Sequence, residues 1–146
     1  MINIEEALDK LELYILELEE KYIDSHQDPL ENPDNYKFDI RSYCLLAHAA
    51  FEEFVENICL YTLDEIEDKF TNSERISYST LCLVHFKGSP KSIDNDNWNN
   101  NDRIYSYLLG QLKEIKSNFS QYIMEHNHGV GLKYLKKLLI PLGIDI

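Results

Sequence analysis

The stretch KFDIRSYCLLAHAAFEEFVENICLYTLDEIEDK, residues 37–69, decides the fold. It holds no glycine and no proline. Its apolar residues Ile40, Cys44, Ala47, Phe51, Phe54, Ile58, Tyr61 and Leu63 recur at helical spacing. The first half is apolar nearly all round, the pattern of a buried central helix. Outward from it, Ile4, Leu8, Leu11, Tyr14 or Ile15, Leu18 and Tyr22 mark an amphipathic helix over about 3–23, with Glu5, Glu12, Glu19 and Glu20 opposite. Asn3 and Glu6 suit its N-cap. HQDPLENPDN, residues 26–35, reads as a loop.

Beyond the long helix, SERISYSTLCLVHF, residues 73–86, fits either a strand or a short helix. No second strand is evident to pair with it, so a helix is expected. Residues 87–100 form a polar loop holding Gly88, Pro90 and the lone Trp98. Asn101 or Asp102 caps a helix over about 102–126, with Ile104, Leu108, Leu112, Ile115, Phe119 and Tyr122 or Ile123 as its stripe. A last helix covers about 131–141. The expected fold class is all-α: one antiparallel four- to five-helix bundle forming a single domain over 1–146.

Composition narrows the function. The chain has 146 residues, 44% of them hydrophobic and 27% charged, enough for one core. No run approaches the ~20 apolar residues of a membrane span, and the acidic N-terminus is no secretory signal. A cytoplasmic protein without membrane contact is expected. Cys44 and Cys59 would lie about 22 Å apart along one helix, too far to bridge. With Cys82 they suit a reducing compartment and core packing. The net charge of −12 opposes non-specific binding to nucleic acid. It is uneven: residues 1–100 carry 8 basic and 22 acidic side chains, and residues 101–146 carry 6 and 4. A polyanion would therefore approach the C-terminal third.

One constellation carries chemistry. With Arg41 at zero on a helical wheel, His48 falls at about −20° and Glu52 at about +20°. RNA cleavage without metal needs a base for the 2′-OH, a cation for the phosphorane, and an acid for the leaving 5′-oxygen. His48 suits the base or the acid, Arg41 the clamp, and Glu52 the orientation of the imidazole. The alternative is structural: Arg41 and Glu52 pair with other helices, and His48 is a hydrogen-bonded core histidine.

The segment FDIRSYCLLAHAAFEEFVENICLYTL, residues 38–63, resembles the signature helix of the HEPN superfamily, above all the RiboL-PSP-HEPN branch of bacterial conflict systems. The late GLKYLKKLLIPLGID, residues 131–145, fits too, and the resemblance covers roughly residues 5–146. It implies a bundle that forms a homodimer. Active members are metal-independent endoribonucleases with an Arg-x(4–6)-His motif from each protomer. Arg41 and His48 have six residues between them and match its long end. In many members the motif instead opens the last long helix. Here EHNHG, residues 125–129, holds the histidines without that arginine. Inactive members are interaction or scaffold modules, and some members are toxins neutralised by an antitoxin. The resemblance thus implies an RNA-cleaving toxin or phage-defence effector, with a cognate antitoxin or other protein as partner, or else a catalytically inactive module.

Arg103, Lys133, Lys136 and Lys137, with Lys113 and Lys116, offer a basic rim for RNA or a solvated helix face. Tyr105, Tyr107, Tyr122 and Tyr134 suit base stacking or the edge of the core. His126 and Asn127 are candidates to support Arg41 in a composite cleft. Glu125, His126 and His128 invite a zinc reading, but a full ligand set is missing, so neither metal nor cofactor is expected.

Overall fold

The computed structural model describes residues 4–23, 28–89, 102–126 and 129–146, the side chains of 102 and 103 apart. Asn3, Asn101, Asn127, His128 and the loop around Trp98 lie outside the described residues. Those residues hold five α-helices and no strand: α1 Ile4–Tyr22, α2 Pro33–Ser73, α3 Tyr78–Lys87, α4 Asp102–His126 and α5 Leu132–Leu139. A 3₁₀ turn, Ile140–Leu142, follows α5. The fold is all-α, as the periodicity predicts, and the ambiguous segment is helical from Tyr78 onward, after a non-helical stretch over 74–77. The helices fall into two compact units. One comprises Met1–Ile58 with His128–Val130, the other Cys59–Asn127 with Gly131–Ile146. α2 contributes its first part to the first unit and its last part to the second.

In the first unit, Leu11 and Leu18 are buried, two turns apart on one face of α1, and α2 contributes the buried Ala47. The Tyr43 hydroxyl of α2 donates to Glu19 of α1 at 3.2 Å. Desolvation first, and then this carboxylate, raise the Tyr43 pKa above its ordinary value. α2 starts four residues earlier than the sequence pattern suggests. Asp28 folds the preceding turn, accepting from Leu30 N at 2.8 Å through its side chain and from Glu31 N at 3.0 Å through its carbonyl. Pro33 then opens the helix, where its missing N–H costs nothing.

The sequence reading of the first half of α2 as buried is corrected. Phe38 is 68% and Leu45 70% exposed, and Arg41 and Cys44 are exposed as well. The buried side of α2 comes later: Cys59, Leu63, Ile66 and Phe70, at spacings of four, three and four.

Those four residues open the core of the second unit. α3 adds Leu83, α4 adds Leu112, Ile115, Phe119 and Ile123, α5 adds Leu138, and Leu142 follows. Ile104 and Leu108, at the start of the α4 stripe, stay exposed. The end of α2 runs antiparallel to α4: Phe70 stacks on Tyr105 at 5.5 Å, whose hydroxyl donates to the Thr71 carbonyl at 3.2 Å. Further along the pair, Lys116 of α4 bridges Asp64, at 2.6 Å, and Glu67 of α2. Desolvation works to lower the Lys116 pKa, but the hydrogen bonds and charges of the two carboxylates outweigh it, so the net shift is upward. Its contribution to stability is therefore complete below the ordinary lysine value of 10.5 and is lost only as pH rises through the folded value.

Ser77 caps α3. Its Oγ accepts from Thr80 N at 3.1 Å and lies 2.8 Å from Thr80 Oγ1, which satisfies the buried Thr80 hydroxyl. Ser77→Ala removes both bonds and should destabilise the protein by about 1–2 kcal/mol. Urea unfolding measures it, and an unchanged midpoint would show that the cap carries no stability.

Candidate functional site

α2 builds the first part of the site. At about 100° per residue, Phe38, Arg41, Leu45, His48 and Glu52 share one stripe roughly 80° wide. A helix without internal glycine or proline keeps that stripe straight. Glu52, one turn after His48, brings Oε1 within 3.4 Å of the imidazole Nε2. The His48 side chain is 50% exposed and that of Glu52 26%. Arg41 is exposed, and among the described residues no carboxylate pairs with it. Seven residues separate Arg41 from His48, a rise of about 10.5 Å along the axis.

These facts bear on the structural reading of the stripe. A hydrogen-bonded core histidine would be buried, and an arginine retained for structure would have an anion beside it. Neither holds among the described residues. A surface pair such as His48–Glu52 contributes about 0–1 kcal/mol, too little to explain the arrangement as a stability device. The Glu52 carboxylate faces one imidazole nitrogen, Nε2, from one turn further along the same helix. The guanidinium offers five donors to a phosphate.

The other sequence candidates belong to the second unit. Lys133, Lys136 and Lys137 lie exposed along α5. Lys137 Nζ is 5.9 Å from the Tyr134 ring centroid. Arg103 lies in the first turn of α4. His126 ends α4, its ring edge-on to Tyr122 at 5.6 Å. Asn127, its proposed companion, lies outside the described residues. So His48 and Glu52 meet, and the three α5 lysines share one short helix. Arg41 and His126 belong to different units.

Among the described residues no three His, Cys, Asp or Glu side chains form a metal-binding group. Among them, too, no helix is long and apolar enough to cross a membrane. The sequence reading misses Lys87, which it assigns to the start of a loop. Lys87 is the last residue of α3, and its ammonium lies over the Phe119 and Tyr122 rings. A lysine in the last turn of a short helix just before Gly88 is only a dipole signal in sequence. Its ring partners come more than thirty residues later.

No curated protein and no solved structure matches the chain. The RiboL-PSP-HEPN family model matches residues 9–146, a span that includes the α2 stripe, Lys87 and the α5 lysines. With that match over residues 9–146 and its five described helices, the chain belongs to the RiboL-PSP-HEPN family.

Proposed function

We propose that the chain is a metal-independent endoribonuclease of HEPN type, acting as a homodimer in which a second copy completes the site. The observation that carries this reading is the exposed Arg41/His48/Glu52 stripe, with Glu52 3.4 Å from His48, in a member of this family. The reaction moves two protons. A base takes the 2′-OH proton as O2′ attacks the adjacent phosphorus. The P–O5′ bond breaks, and an acid protonates the departing 5′-oxygen. The products are a 2′,3′-cyclic phosphate and a 5′-hydroxyl. His48 performs one transfer with its free nitrogen, and Arg41 holds the non-bridging oxygens as charge builds on them.

One histidine supplies one of the two transfers. The second comes from the same stripe on a second copy. Phe38 and Leu45, exposed on either side of Arg41, supply the apolar surface such a dimer would cover. The family match runs through both compact units, which supports reading 1–146 as one HEPN-like domain. A cytoplasmic toxin or phage-defence role, held in check by a cognate antitoxin, follows from the same reading. Purified chain should cleave single-stranded RNA in the presence of a chelator and leave 2′,3′-cyclic phosphate ends. Absence of cleavage by partner-free protein would refute the proposal.

A second reading has its own observation. Residues 1–100 carry 8 basic against 22 acidic side chains, a surface that repels RNA and suits a basic protein. Under it the chain is a non-catalytic interaction module. Native mass spectrometry distinguishes the two: a strictly monomeric chain with nuclease activity and no co-purifying partner counts against the module.

A further inference from the structure

The outward face of α1 carries a pattern used by neither the core nor the α2 stripe. Leu13 and Leu16, one helical turn apart, are 60% and 61% exposed. They lie on the side of the helix opposite the buried Leu11 and Leu18. With Leu13 at zero on a helical wheel, Glu12 falls at about −100° and Glu17 at about +40°, which bounds a sector about 140° wide. Leu16, at about −60°, lies inside it. Every other residue of α1 in that sector is acidic: Glu5, Glu6, Asp9, Glu12, Glu17 and Glu20. All six are exposed. Lys10 and Lys21 fall beyond its edge, at about +60° and +80°.

Both parts of this pattern act against an isolated helix. Like charges three or four residues apart repel, as in Glu5–Asp9, Asp9–Glu12 and Glu17–Glu20. A face meant only for water has no use for leucine, and these two keep apolar surface hydrated. A ligand that brings cations together with an apolar strip relieves both costs at once. The same face on a second copy does not, since it would set six carboxylates against six. The apolar residues exposed on α2 have a different chemistry: Phe38 and Leu45 each lie one turn from a cation, Arg41.

We propose that this face of α1 docks a basic amphipathic helix of another protein. Leu13 and Leu16 pack between the turns of that helix, and its lysines and arginines lie over the flanking carboxylates. The leucines set the register and the carboxylates select the sign of the partner. The proposal rests on the interaction-module reading for the existence of a basic partner, and is independent of the chemistry proposed for α2.

The probe is a fluorescent helical peptide of about 14 residues, four turns, with leucine at every third or fourth position and lysine elsewhere. A peptide of the same composition, shuffled so that no leucine stripe forms, is the control. Each is titrated with the full chain and read by anisotropy. The striped peptide should bind about 10-fold more tightly than the shuffled one. Leu13→Gln and Leu16→Gln should each weaken its binding by about 5- to 10-fold, because more than half of each leucine remains to be covered. Asp9→Asn combined with Glu20→Gln should weaken it by about 3-fold, and that loss should shrink at high salt. All four positions are exposed, so the variants keep the fold. No binding, equal binding of the two peptides, or leucine variants that bind like the parent overturns the proposal. So does a parent chain whose self-association is lost in Leu13→Gln, which would assign the face to a second copy. A co-purifying basic partner indifferent to Leu13 and Leu16 refutes this surface and spares the interaction module. Leucine-dependent peptide binding by a chain that also cleaves RNA keeps the surface and removes the non-catalytic reading.

Discussion

His48→Ala should lower the rate of RNA cleavage by about 100- to 10,000-fold while leaving the protein folded, because a positioned general acid or base contributes a factor of that size. The fold is safe for a physical reason. The side chain is half exposed, and among the described residues it pairs with Glu52, at 3.4 Å on the same helix. Such a surface pair is worth less than about 1 kcal/mol, so thermal unfolding should move little. Binding of an uncleavable oligonucleotide should also hold, which separates lost chemistry from lost affinity. Arg41→Ala should cost about 100- to 1,000-fold, the usual effect of removing one group that stabilises developing oxyanion charge. Cleavage by His48→Ala at the parental rate would remove the chemical centre from α2 altogether.

A large loss of stability is expected at Gly143. This residue ends the 3₁₀ turn with φ +78°, donating from its N–H to the Ile140 carbonyl at 2.9 Å, and Ile144 N reaches the Leu139 carbonyl at 3.1 Å. A Cβ there would stand 3.1 Å from Tyr78 Cδ1 and 3.3 Å from Ser79 Cα. Two costs combine in Gly143→Ala. The left-handed backbone disfavours any L side chain by about 1–2 kcal/mol, and crowding against α3 adds about 1–2 more. The Tyr78 ring is exposed and can swing away, but Ser79 Cα belongs to the first turn of α3 and cannot. The expected loss is about 2–4 kcal/mol, or roughly 5–12 °C in Tm for a chain of this size. Tyr78→Ala should return part of it, measured as a coupling energy in a double-mutant cycle. A Tm unchanged by Gly143→Ala would show that the C-terminal turn is not docked on α3.

Much of this architecture is legible before any coordinates. Apolar residues at helical spacing give α1, α4 and the body of α2, because amphipathicity is a local property of the chain. α3 is less legible: residues 73–86 fit a strand as well as a helix, and the Ser77 cap that starts the helix emerges only in the structure. The first part of α2 misleads for an instructive reason. Phe38, Leu45 and their neighbours look like a helix that must be covered, and periodicity says nothing of what covers it. A face buried by the chain's own helices and a face left for another molecule have the same composition. The site divides along the same line. Arg41, His48 and Glu52 share one helix, so their common stripe follows from counting residues. Lys87 meets Phe119 and Tyr122 only after the chain has folded back on itself, and no local pattern announces that encounter.

The three thiols form a ruler for the chain in solution. Cys44 is exposed, Cys82 is partly covered and Cys59 is fully buried. An aromatic disulfide reagent should therefore modify Cys44 first, Cys82 more slowly, and Cys59 only when the second unit opens. Cys44 lies one helical turn before His48, so a bulky adduct on it stands beside the proposed catalytic stripe. The fast phase of labelling then reports access to that stripe, and the slowest phase reports unfolding of the core. A second copy docked over Phe38 and Leu45 would retard the fast phase alone, in proportion to protein concentration.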